Sequence, residues 1–189
     1  MSNNKRKFSP LMMVLCAVLA ALYVVLSSFL AIRLGNSLRI TFASLPVILA
    51  ASLLGPVPAA IVAAVGEFIN QMISYGLSPT LPLWLLPPVC RGVMVGLMLL
   101  PMRKKGVLPE TKPVQYGAVL MIAALLTTVV NTLVMWADSV FWGYYSFAYV
   151  FGTAATRFVS GIITAAAVAI VAVPVLHALR RVPAVKNLS

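Results

Sequence analysis

Residues 8–32 read FSPLMMVLCAVLAALYVVLSSFLAI, 25 positions without a charge, directly after Lys5, Arg6 and Lys7. A bilayer core needs about 20 apolar residues per helical crossing, and the stretch is longer than the apolar region of a cleaved signal peptide, about 7–15 residues. It predicts a membrane-spanning helix. The rest of the chain has the same character: of 189 residues, 62% are hydrophobic and 9% charged, with a net charge of +11. A soluble domain carries about 25% charged residues, and a chain this apolar would not stay solvated as a disordered polymer. The solvent that remains is lipid, with room for roughly five to seven spans and no separate soluble domain.

Working outward, five more apolar segments follow. Residues 40–54 stop at Gly55-Pro56-Val57-Pro58, where proline removes donors and glycine permits a sharp turn. Segments 59–74, 83–102, 114–136 and 150–179 complete the set, separated by a Gly/Ser/Pro loop, a basic turn and an aromatic loop, Phe141-Trp142-Gly143-Tyr144-Tyr145-Ser146-Phe147, suited to the membrane interface. The expected architecture is all-α: a polytopic six-helix transmembrane bundle, one integral membrane domain over 1–189, with helices near 8–32, 40–54, 59–74, 83–102, 114–136 and 150–179.

Six spans put both termini on one side, with Lys5, Arg6, Lys7, Arg103, Lys104, Lys105, Lys112, Arg180, Arg181 and Lys186. By the positive-inside rule that side is cytoplasmic. A basic excess in a soluble protein would point to nucleic acid; here topology accounts for ten of the fourteen basic residues and no nucleic-acid partner is implied.

Arg33, Arg39, Arg91 and Arg157 are left over, all in the outer half. A charge within a span costs about 2.5–3.5 kcal/mol on insertion scales and usually faces a protein interior or a wet cavity. Polar residues near them recur at helical spacing: Glu67, Asn70, Gln71 and Ser74; Thr127 or Thr128, Asn131 and Asp138; Thr153, Arg157, Ser160 and Thr164. Three stripes and four arginines predict an outer chamber. The alternative is that Glu67 and Asp138 neutralise two arginines and the polar groups bond across helices, but two acids cannot neutralise four cations. Unbalanced positive charge suits a ligand bearing carboxylate or phosphate, since Arg holds planar oxyanions bidentately. Asn70, Gln71 and Asn131 could read a heterocycle, with Trp84, Trp136, Trp142 or Tyr145 for stacking.

On the first helix Ala17 and Ala21 form a small-xxx-small pair that admits a second helix, either within the bundle or from a partner. Cys16 and Cys90 carry no metal or disulfide spacing, and His177 is placed to cap the last helix. The chain contains no Walker A or glycine-rich nucleotide loop, and no Ser/His/Asp set can be assembled on one side. These features imply no enzyme, no metal and no cofactor, and leave binding or transport.

The segments Gly35-Asn36-Ser37-Leu38-Arg39-Ile40-Thr41-Phe42 with Leu45-Pro46, Leu54-Gly55-Pro56, Asn131-Thr132-Leu133, and Arg157 with Pro174 resemble the substrate-binding S components of energy-coupling-factor (ECF) vitamin transporters, most closely the folate family. Leu19-Ala20-Ala21-Leu22 is similar to the family's first helix. The resemblance implies six helices, an outward-facing vitamin pocket and a bacterial plasma-membrane location. It also implies docking through the first helix onto a transmembrane coupling subunit that carries two ATPase subunits, with transport by toppling of the whole S component. The family pattern has an aspartate near Glu67 and a Phe-Pro-rich loop where this chain has Ser78-Pro79-Thr80-Leu81-Pro82-Leu83-Trp84.

The expected function is capture of an anionic water-soluble vitamin, folate first, with Arg39, Arg91 and Arg157 on its anionic part, and Asn131 and the Glu67 to Gln71 face on its ring. Other S-component ligands (pantothenate, pyridoxine, hydroxymethylpyrimidine, cobalamin) form the nearest alternative. A self-sufficient proton-coupled carrier relaying through Glu67 and Asp138 and a structural or assembly protein are the others.

Overall fold

The computed structural model describes residues 9–34 and 38–183, with 31–34 and 38–40 by backbone only. Lys5, Arg6, Lys7, Lys186 and the Gly35-Asn36-Ser37 part of the resemblance lie outside the described residues. Helix α1 (Pro10–Phe29) leads into a two-stranded antiparallel hairpin, β1 (Ala31–Leu34) and β2 (Leu38–Thr41). Then come α2 (Ser44–Leu53), α3 (Pro56–Tyr75), α4 (Leu81–Lys104), a 3-10 turn (Pro109–Thr111), α5 (Pro113–Phe141), the one-turn α6 (Phe147–Phe151) and α7 (Ala154–Leu179). The helices α1, α3, α4 and α5 and the Phe147–Leu179 run are each long and apolar enough to cross a bilayer. The fold is the expected helical membrane bundle.

The differences lie at boundaries. The hairpin takes residues assigned to the ends of the first and second helices, because Ala31–Leu34 and Leu38–Thr41 pair edge to edge and satisfy their backbone groups in a ladder. The last helix is interrupted at residues 152–153, between α6 and α7. Each predicted helix start among 59, 83 and 114 moves back to a proline-bearing first turn, at Pro56, Pro82 and Pro113. Proline is tolerated there because its missing N–H would be unbonded in any case.

Helix α2 has ten residues, about 15 Å of rise, and all of them are buried. It packs against α1, α3, α4 and α7, so it needs no polar face. A helix that ends within the protein leaves its last carbonyls without intrahelical donors. Here Arg103 Nη2 donates to Ala51 O at 3.1 Å and to Ser52 O, and Arg180 Nη2 reaches Ser52 O at 3.5 Å. Ser52 Oγ also bonds Tyr116 Oη at 3.0 Å, and Arg180 Nε pairs with Glu110 Oε1 at 2.6 Å. These contacts gather the ends of α2, α4 and α7, the start of α5 and the 3-10 turn at one end of the molecule, the basic end. His177 lies in the last turn of α7, where it was expected, and among the described residues its Nε2 meets Arg181 Nη2 at 3.0 Å, one turn along.

Candidate functional site

At the opposite end the predicted polar stripes are buried or half-buried except at Ser74 and Thr153, which are exposed. On α3, Glu67 is buried and accepts three hydrogen bonds: Tyr23 Oη to Oε2 at 2.6 Å, Asn70 Nδ2 to Oε2 at 3.2 Å, and Gln71 Nε2 to Oε1 at 2.6 Å. The i+3 and i+4 spacing that suggested a common face brings Asn70 and Gln71 onto the carboxylate. The third donor comes from α1. Gly66 makes room for it, since a Cβ there would stand 2.8 Å from the Tyr23 ring.

Tyr23 is the site residue that sequence reasoning missed. It falls in the apolar first helix, but with Ser27 it continues the buried stripe of Met12, Cys16, Leu19 and Ala20. That i, i+4 continuation into two hydroxyls was the available signal.

Arg91, half-buried on α4, donates from Nε to Thr127 Oγ1 of α5 at 3.4 Å and lies within electrostatic reach of Tyr23. The Tyr23–Glu67 and Arg91–Thr127 groups therefore bring α1, α3, α4 and α5 to one place. Trp84 and Asn131 are half-buried on α4 and α5. Arg33 and Arg39 are Cα partners in the hairpin register, so the two cationic positions stand directly opposite each other.

At the α5 and α7 ends, Asp138 is buried and accepts a hydrogen bond from Tyr144, which pushes the Tyr144 phenol up to about 12. Arg157 donates from Nη1 to Met135 Sδ and from Nη2 to Val150 O, tying α7 to α5 and α6. Neither Glu67 nor Asp138 pairs with an arginine among the described residues. The one ion pair there, Glu110 with Arg180, is at the basic end. The internal neutralisation of outer arginines expected under the alternative reading is therefore not seen among the described residues, and Arg103 and Arg180, expected only to orient the chain, also bond the carbonyl end of α2.

Ala17 and Ala21 are exposed, on the face of α1 opposite its buried stripe. A groove of about 470 Å³ between α3 and α4 is apolar, lined by Pro56, Val57, Ile61, Val93 and neighbours. It follows the other half of α3 from Glu67 and includes none of the polar residues above. Cys16 and Cys90 are free, and no cluster of metal-ligating side chains occurs among the described residues.

Comparison with known proteins identifies a family. The profile of the ECF-type riboflavin transporter S component matches residues 7–181. Among solved structures, the fold is similar to FolT bound with folic acid, at 23% identity and TM-score 0.62, over 87% of this chain and 95% of that one. It is also similar to the S-component for biotin from an ECF-type ABC transporter, at 17% identity and TM-score 0.58, over 100% of this chain and 98% of that one. At these identities the two structures show the shared fold. No curated protein sequence matches the chain.

Proposed function

The chain belongs to the ECF-type riboflavin transporter S component family, and from that premise we propose that it captures folate at its non-basic, outward end. It is a multi-pass membrane subunit for vitamin transport and not an enzyme. Delivery then requires a transmembrane coupling subunit and two ATPase subunits in a bacterial plasma membrane, with Ala17 and Ala21 on the docking face of α1.

The carrying observation is charge. Both acids at this end are bonded to neutral partners, Glu67 to Tyr23, Asn70 and Gln71, and Asp138 to Tyr144. Among the described residues Arg91 and Arg157 have no acid partner, and with the cationic positions 33 and 39 of the hairpin they favour an anionic ligand. Like charges at opposed register positions destabilise a hairpin by up to about 1 kcal/mol; two glutamate carboxylates near Arg33 and Arg39 offset that cost. Arg91 is within the same end, while Trp84, Asn131 and the amide faces of Asn70 and Gln71 are suited to the pteridine ring.

Riboflavin is the second reading, favoured by the family profile. Its ring asks for the same neutral hydrogen-bonding groups, but its uncharged side chain leaves the arginines unexplained. The experiment is a titration of purified protein with folic acid, riboflavin and biotin, followed by tryptophan fluorescence. Saturable quenching by folic acid at about nanomolar concentration is expected. Quenching by riboflavin alone would replace the ligand, and no response to any vitamin in a broader panel would refute the proposal.

A further inference from the structure

The apolar groove between α3 and α4 takes no part in the vitamin proposal. The exposed Val57 and Ile61 and the half-buried Ala60 and Ala64 of α3 face Val93 and Leu97 of α4 across about 470 Å³. Seven residues of rise separate Val57 from Ala64, about 10 Å, against about 15 Å for half of a hydrocarbon core about 30 Å thick. The groove therefore runs through most of one leaflet. It begins at the basic end, since Pro56 and Val57 open α3.

Its mouth is cationic. The Arg103 guanidinium lies against Gly55, directly before Pro56, where a Cβ would stand 3.3 Å from Nη1; the bonds from Nη2 to Ala51 O and Ser52 O fix it there. Lys104 follows Leu97 by seven positions and continues the Val93 and Leu97 face of α4. Lys105 is next to it, and both lysines are exposed. Neither is in an ion pair among the described residues. Of the three acids in the chain, Glu67 and Asp138 are at the outward end and Glu110 is held by Arg180.

An apolar channel of about one leaflet's depth with an unneutralised basic mouth matches a phosphate joined to an acyl chain. We infer that the groove seats one chain of an anionic phospholipid from the leaflet at the basic end, with its phosphate at Lys104 and Lys105 beside Arg103. A zwitterionic phospholipid fits less well, because its ammonium group brings a further cation to a mouth that has no acid. A protein helix fits less well too, since its apolar face offers the two lysines no anion. The inference is independent of which vitamin is captured.

The test is native mass spectrometry of the purified full chain in detergent, titrated with dioleoylphosphatidylglycerol and with dioleoylphosphatidylcholine, which share their acyl chains and differ in charge. One phosphatidylglycerol is expected to stay bound, about tenfold more tightly than phosphatidylcholine, the size of effect that two lysines exert at an anionic headgroup. Lys104→Gln with Lys105→Gln is expected to erase that preference. Ala60→Leu with Ala64→Leu, which fills the groove, is expected to weaken both lipids by about tenfold. If the leucine pair does not fold, the lysine variant, changed only at exposed positions, decides. Equal binding of the two lipids to wild-type protein overturns the inference, and so does a preference for phosphatidylglycerol that survives the lysine changes. A groove-filled variant that folds and keeps both lipids, but no longer co-purifies with the coupling module, overturns it in favour of a protein partner.

Discussion

Tyr23 places one hydroxyl in a helix whose other side chains are almost all apolar, and that hydroxyl ties α1 to α3 through Glu67. A hydrogen bond to a charged acceptor contributes about 1.5–3 kcal/mol, so Tyr23→Phe is expected to lower the melting temperature in detergent. Gly66→Ala is expected to cost a further 1–3 kcal/mol or so, because the new methyl would meet the Tyr23 ring at 2.8 Å. A melting temperature unchanged in both variants would remove this contact from the account. Tyr144 makes a separate prediction. Its phenol is held protonated by Asp138, with a pKa raised from 10.0 to about 12, so the bond's contribution is complete below about pH 10 and fades as pH rises toward 12. Alkaline loss of thermal stability in that window is expected to shrink in Tyr144→Phe. Glu67 with Asn70 and Gln71 was legible from spacing alone; Tyr23 was not, because aromatic residues in an apolar run read as core until a neighbouring helix supplies an acceptor.

At the scale of elements, the six helices follow from hydrophobic length and from the Gly and Pro breaks. The hairpin was hidden because its strands are four residues each and join continuously to apolar helices. A window long enough to detect a span averages over them. A close helix contact was also overlooked: Gly92 and Gly96 on α4 form a Gly-xxx-Gly pair against the start of α3, where a Cβ at Gly96 would stand 2.5 Å from Pro56 Cα. Backbone cannot yield as a side chain can, so Gly96→Ala is a harsher substitution than Gly66→Ala. At the basic end, Glu110 and Arg180 form a buried pair around the carbonyl end of α2, with side chains 4% and 12% exposed. Removing one partner of such a pair costs about 3–5 kcal/mol. Glu110→Gln is expected to destabilise strongly, and the exchange Glu110→Arg with Arg180→Glu to recover part of the loss; equal melting of Glu110→Gln and wild type would refute the pairing. Counting charges by membrane side could not separate Arg103 and Arg180 from the exposed lysines, since burial follows from packing and not from sequence position.

For the whole molecule, charge is divided between two tasks. On the proposed orientation the basic end faces inward and closes around α2, while the opposite end carries Arg91 and Arg157 without an acid partner among the described residues. The two alanines of α1 lie on the face the bundle does not use, the placement expected for docking to a coupling subunit. Ala17→Leu with Ala21→Leu is expected to leave vitamin binding by the purified protein unchanged and to abolish its capture by the coupling module, measured by co-purification; undiminished co-purification would move the docking face elsewhere. The division of labour between capture and energy is tested most directly by uptake of labelled folate into proteoliposomes. The account predicts accumulation only when the coupling subunit, both ATPases and ATP are present with this protein. Uptake by this protein alone under a pH gradient would contradict it and restore the proton-coupled reading of Glu67 and Asp138.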